Sequence, residues 1–210
     1  MRLYLASTSP ARLATLRAAG IEPVLLPSGV DEDAVAASAG ALTAPQLVEL
    51  LARAKAEAVI GRTVDGSPID GFILGGDSAF ELDGVVYGKP QLPAVARERW
   101  LQQRGRSGQL HSGHWLIDHR RGHIGEAIGG VSTATVRFAD NITETEIDAY
   151  VATGEPLLVA GGFTIDSLGA PFIAGIDGDP HAVVGLSLTL LRDLLLHFEV
   201  SWPSMWNRGL

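Results

Sequence analysis

The chain has no cysteine among its 210 residues. That excludes disulfides, thiolate nucleophiles and zinc–thiolate centres. It has no run approaching the ~18–20 apolar residues that a membrane-spanning helix needs. The opening "MRLYLAST" offers too short an apolar core for a signal peptide, so a cytoplasmic protein is expected. Positive charge is scarce: 16 Lys and Arg stand against 24 Asp and Glu, a net charge of −8. A surface for nucleic acid needs a basic field, so such a partner is not expected, nor is a membrane. Motifs are missing as well. There is no Walker loop, no dinucleotide G-x-G-x-x-G after a strand, no G-x-S-x-G elbow and no H-E-x-x-H. What remains is an ordinary globular balance, 46% hydrophobic and 19% charged, on a length that suits one domain spanning residues 1–210.

The pattern of residues predicts a mixed α/β chain. Leu3–Ala6 reads as a short buried strand. A helix follows with Ser9 as N-cap, Pro10 at its first position and Gly20 just past its end. Glu22–Leu26 reads as a second strand. The acidic stretch Ser28–Ala41 reads as a loop. Thr43 and Gln46 form a capping box for a helix to about Ile60, and "GRTVDGSPIDG" reads as loop. Phe72–Asp77 is a buried strand, followed by a hairpin turned at Asp83-Gly84. Further helices are expected over about 93–104, 143–153 and 186–198. Strands are expected over about 109–118, 126–138 and 171–176. A central mixed sheet with helices on both faces fits this order.

Four stretches carry candidate chemistry. In "LASTSPARLATLRAAG" a helix N-terminus, with about half a positive charge and unpaired N–H groups, is joined by Ser7, Thr8, Ser9 and Arg12. Phosphate binds such places readily, although a serine that only caps a surface helix would look the same. In "GGDSAF", Asp77 follows a buried strand and two glycines, where α/β folds place functional carboxylates and where glycines admit ligand or metal close to the backbone. A turn-capping aspartate is the plainer alternative. In "YGKP", Lys89 is expected to return beside Asp77 across the hairpin. In "VDED", Glu32 offers an oxygen ligand for a divalent cation, or a solvated loop. Lys55 lies on the helix of "LARAKAEAV", where a solvated lysine would be unremarkable. The histidines at 111, 114, 119 and 123 read as structural or exposed.

Taken in order, "LASTSPARLATLRAAGI", "VDE", "LARAKA", "GGDSAFELDGVVYGKP", "RSGQLH", "ATVRF", "ITETEIDAYVATGEPLLVAGGFTID" and "IDGDPHAVVGLSL" resemble the Maf family of nucleotide pyrophosphatases over most of the chain. The resemblance implies an elongated mixed sheet flanked by helices, similar to inosine triphosphate pyrophosphatases, with a ligand cleft between two lobes. It implies hydrolysis of a nucleoside triphosphate to monophosphate and pyrophosphate, assisted by Mg²⁺ or Mn²⁺. By the family's motifs Asp77 takes the place of the general base and a metal ligand. Glu32 matches an acidic residue near the metal. Ser7, Ser9 and Arg12 match the anion site, and Lys55 and Lys89 match phosphate-contacting lysines. Asp166 stands in the nucleotide-facing loop where pyrimidine-specific members usually carry glutamine. Ala11, Val159 and Phe163 stand where arginine, lysine and tyrosine are usual. A homodimer is implied too. Two rivals remain at this level: a nucleotide-binding regulator of cell division with incidental hydrolysis, and a phosphatase releasing orthophosphate.

Overall fold

The computed structural model describes residues 1–208. In chain order the strands are β1 (Leu3–Leu5), β2 (Val24–Leu25), β3 (Thr63–Val64), β4 (Ser67–Pro68), β5 (Gly71–Leu82), β6 (Val85–Tyr87), β7 (Ser107–His119), β8 (Ala127–Phe138) and β9 (Ile173–Asp177). The helices are α1 (Pro10–Ala18), α2 (Glu32–Ala39), α3 (Ala44–Glu57), α4 (Pro93–Gln103), α5 (Glu144–Ala152), α6 (Pro180–Val184) and α7 (Leu188–His197). One sheet runs β2-β1-β5-β7-β8-β9, with β6 paired to β5, and β3-β4 form a separate pair. β1 is parallel to both β2 and β5, whereas β5–β6 and β8–β9 are antiparallel. The fold is thus mixed α/β, with a central mixed sheet flanked by helices.

The chain folds into two compact units. The first holds Met1–Asp77, Ser112–Ser132 and the chain from Gly185 onward; the second holds Ser78–His111 and Thr133–Val184. In the first unit β1 alternates between two cores. Leu3 and Leu5 join Leu16 of α1 and Leu191, Leu194 and Leu195 of α7. Tyr4 and Ala6 join Ala56 and Val59 at the end of α3. Successive strand side chains point to opposite faces, so a strand covered on both sides must be apolar throughout, as β1 is. In the second unit Phe80, Leu110, Val136 and Phe138 pack with Trp100 of α4 and with Ile147 and Tyr150 of α5.

Two stretches expected as loops are ordered elements. Residues 32–39 form α2, because the Asp31 carboxylate caps the Ala34 N–H at 3.0 Å. Glu32 and Asp33 then complement the helix dipole and the alanines supply propensity. The helix buries none of its residues, so no apolar periodicity announced it. Residues 63–68 form a hairpin on Asp65-Gly66, whose φ values of 51° and 76° make the turn that suits paired strands. The expected Asp83-Gly84 turn forms in the same way, with Phe80 opposite Tyr87. α6 has no counterpart among the expected elements. His111, His114 and His119 are buried on β7 and His123 is exposed. Among the described residues no helix is long and apolar enough to cross a membrane.

Candidate functional site

Parallel strands deliver their carboxyl ends to one edge, where α/β proteins commonly bind ligands. Here β1 and β5 are paired in register, Leu3–Leu5 opposite Phe72–Leu74. The Ala6 N–H continues the ladder to the Leu74 carbonyl at 2.9 Å. Ser7–Ser9 therefore leave β1 beside Gly75, Gly76 and Asp77 of β5. The Ser9 hydroxyl accepts from the Arg12 N–H at 3.3 Å, and Pro10 occupies the first turn of α1. Ser7 Oγ accepts from the Ser9 N–H at 3.1 Å.

Arg12 is buried rather than splayed toward solvent. Its Nε donates to the Gly185 carbonyl at 2.8 Å and its Nη1 donates to Ser7 Oγ at 3.1 Å. Burial lowers its pKa, and the nearby carboxylates of Asp77 and Glu32 oppose that shift. Sequence reasoning had no signal for Gly185, whose contribution is a backbone oxygen.

The two glycines before Asp77 serve the protein's own parts. A Cβ on Gly75 would stand 2.0 Å from the Ala52 carbonyl of α3, and one on Gly76 would stand 3.2 Å from Arg12 Nε. The expectation that they open the backbone to ligand or metal is corrected to this extent: the space is taken by a helix backbone and a guanidinium. The close approach of α3 at Ala52 brings Lys55, nearly one turn further along, to Asp77.

Lys55 is buried, its side chain only 8% exposed, and it stands between two carboxylates. Its Nζ donates to Asp77 Oδ1 at 2.7 Å and lies 2.8 Å from Glu32 Oε1. Asp77 is 12% exposed at its side chain, whereas Glu32, at the first position of α2, is 52% exposed. Burial pushes the Asp77 carboxyl up from its ordinary value. Lys55 and Arg12 pull against that without reversing it. A carboxyl whose burial raises its pKa, with a fixed cation holding one of its oxygens, is suited to accept a proton on the other.

Ser7, Ser9, Arg12, Glu32, Lys55 and Asp77 thus fall in the first unit, and Arg12, Lys55, Glu32 and Asp77 form one electrostatic group there. Lys89 and Asp166 fall in the second unit. Lys89 is exposed and follows β6 by two residues. Asp166 is in the loop after the turn of 3₁₀-helix Ala160–Gly162 and is exposed. Phe163, where tyrosine was the family expectation, is buried and packs edge-on against Phe80 and Phe138 at 5.1 and 5.0 Å. Ala11 is half-buried in the first turn of α1.

For a divalent cation the test is chemical. Glu32 and Asp77 supply hard carboxylate oxygens, and Mg²⁺ or Mn²⁺ accepts one or two of these with the remainder from phosphate and water. Lys55 engages one oxygen of each. Among the described residues no group of three or more His, Cys, Asp or Glu side chains could cage a metal alone. The donors present fit a cation that shares its ligands with a substrate.

The class this defines is a mixed α/β protein in which a buried lysine bridges a buried carboxylate midway along β5 and an exposed one at the start of α2, beside the carboxyl end of β1 and a serine-capped helix. A protein of Leifsonia xyli subsp. xyli named nucleoside triphosphate pyrophosphatase is 62% identical over 213 residues, spanning 100% of this chain and 98% of its own length. Proteins of the same name from Saccharopolyspora erythraea and Salinispora tropica are 50% and 51% identical, each over at least 99% of this chain, and over 98% and 89% of their own lengths. Among solved structures, the Staphylococcus aureus Ham1 protein aligns over 95% of this chain and 100% of its own at 14% identity and a TM-score of 0.47. The chain belongs to the Maf-like protein family, whose model matches residues 2–198.

Proposed function

We propose that this chain is a nucleoside triphosphate pyrophosphatase, hydrolysing the bond between the α- and β-phosphates to give a nucleoside monophosphate and pyrophosphate. The family and the names of its relatives support the reaction class. The observation that carries the assignment of parts is the Lys55 bridge between Asp77 and Glu32.

A triphosphate carries three to four negative charges, which oppose attack at phosphorus. Arg12, Lys55 and the N-terminus of α1 would draw the phosphates in, and Lys89 would add a further cation once substrate is bound. Lys55 engages Oδ1 of Asp77, so Oδ2 is the oxygen to take the proton of an attacking water. The water oxygen forms the new bond to the α-phosphorus. The bond to the bridging oxygen breaks, the electron pair leaves on pyrophosphate, and the water proton stays on Asp77 until it returns to solvent. Ser7 and Ser9 add hydroxyls to the phosphate corner. Asp166 contacts the nucleotide by its place in the family's loop.

Mg²⁺ or Mn²⁺, held by Glu32 and Asp77 with phosphate oxygens, would supply charge neutralisation and acidify water. The whole chain of residues 1–210 is read as one such catalytic domain, working without nucleic acid or membrane and as a homodimer.

The test is product analysis. Purified protein is incubated with dTTP, UTP, CTP and GTP, each with Mg²⁺ or Mn²⁺, and pyrophosphate and orthophosphate are measured separately. Pyrophosphate in equal amount to monophosphate is expected. Orthophosphate with diphosphate, or no turnover of any nucleotide, would sink the reading.

A further inference from the structure

The second unit holds a carboxylate to which the sequence assigned no work. Glu155 precedes Pro156 in a turn of 3₁₀-helix. Its Oε1 accepts from Tyr150 Oη at 2.9 Å, from Thr164 Oγ1 at 2.5 Å and from the Gly169 N–H at 3.2 Å. Its Oε2 accepts from Ser167 Oγ at 2.7 Å and from the Leu168 N–H at 3.3 Å. One side chain therefore ties both ends of the 164–169 loop. Gly169 must be glycine for this closure, because a Cβ there would stand 2.7 Å from both the Thr164 carbonyl and the Tyr150 hydroxyl.

The residues leading into the loop are held independently. The Trp100 indole N–H donates to the Gly162 carbonyl and the Gln103 amide donates to the Gly161 carbonyl, each at 2.8 Å. Ile165 and Asp166 make none of these bonds, and Asp166 stands at the middle of the braced segment. A loop pinned at both ends by a charge-assisted network has few ways to move its centre. Such bracing costs ordering entropy and a functional constraint rationalises it, since an aspartate on a surface loop needs no fixed position unless something must meet it.

We propose that Glu155 is a positioning residue for nucleotide selection: it fixes the 164–169 loop and so sets where Asp166 stands. This rests on the reading that Asp166 contacts the nucleotide. Glu155 touches no reacting atom. It should therefore act on KM and on the preference among bases, leaving the phosphate chemistry alone.

The experiment compares Glu155→Gln, Asp166→Ala and the double variant in steady-state kinetics with dTTP, UTP, CTP and GTP, alongside thermal melting. The glutamine keeps one acceptor oxygen and puts an amide NH₂ where another donor already points, so the network cannot close. Expected is a rise of about tenfold in KM for the preferred nucleotide with kcat within about threefold, and a flattened preference. Asp166→Ala should flatten the preference too, and the double variant should go no further than Asp166→Ala alone. If Asp166→Ala changes the preference and Glu155→Gln does not, Glu155 is only a structural brace and the proposal falls. If Asp166→Ala changes neither KM nor preference, the underlying placement of Asp166 at the nucleotide is what fails, and the proposal falls with it. Should Glu155→Gln not fold, Ser167→Ala removes one donor to Oε2 and should shift KM in the same direction by less; an unchanged KM and preference there would equally overturn the proposal.

Discussion

Asp77 and Glu155 are both carboxylates held by fixed partners, and their surroundings push them opposite ways. Asp77 has lost water and gained the contact of Lys55 and the charge of Arg12; burial still wins, and its pKa is raised. Burial also works against the charge on Glu155. There, hydrogen bonds from Ser167, Thr164, Tyr150 and the Leu168 N–H outweigh it, and the pKa falls to about 2. Neutral donors converging on both oxygens stabilise the charged form without offering anywhere for a proton to go. A single lysine on one oxygen of a buried carboxyl leaves the other oxygen available. The contrast separates a group that can exchange a proton from one locked as an acceptor. It also shows that a neighbouring cation does not by itself decide the direction of a shift.

The sharpest way to break the comparison is Asp77→Asn. The amide keeps the shape and can still accept from Lys55 through its oxygen, but it cannot take a proton. General-base help is worth ~10²–10⁴-fold, so a loss of at least ~100-fold in kcat is expected with the melting temperature nearly unchanged. Turnover close to wild type would remove Asp77 from the chemistry.

Lys55→Met asks whether the cation tunes that base. Lys55 favours the charged carboxyl, so its removal raises the Asp77 pKa further. The deprotonated base is then lost at a higher pH, and the acid limb of the kcat profile should move upward. Activity at neutral pH should fall by less than in Asp77→Asn. An acid limb that stays in place would mean that another group titrates in the profile.

How legible the two carboxylates were in the sequence differs for a physical reason. Asp77 follows the apolar run "FILGG", and a carboxylate after such a run is a local pattern, although the strand expected to end there runs on to Leu82. So is Ser9-Pro10 at the start of α1, and so is the Asp83-Gly84 turn. Lys55 could be placed on α3, but its burial depends on how closely α3 lies on β5. Gly75 permits that contact, and a sequence shows a glycine without showing what fills its space. Arg12 likewise was legible as a cation near the helix start, while its anchor at the Gly185 carbonyl was not, because every residue has a carbonyl. Glu155 was invisible because its partners span positions 150 to 169 without periodicity and two of them are backbone N–H groups. α2 escaped for the opposite reason: a helix that buries nothing has no apolar stripe to read.

Glu155→Gln has a second consequence in stability, smaller than either change in rate and independent of any substrate. A carboxyl whose folded pKa lies below its ordinary value of 4.5 stabilises the fold when ionised. That contribution is fully present above the unfolded pKa, and it is lost as pH falls from about 4.5 towards about 2. At neutral pH the variant should therefore be less stable than wild type by about 1–2 kcal/mol, the worth of hydrogen bonds to a charged group on a half-buried site. On acidification wild type should lose this advantage, so the gap between the two denaturation midpoints should close through that window. The other carboxylates titrate in both proteins and drop out of the difference. A gap that stays constant down to pH 2 would mean that the five donors hold a neutral carboxyl as well as a charged one, and Glu155 would then differ from Asp77 in its bonding but not in its charge.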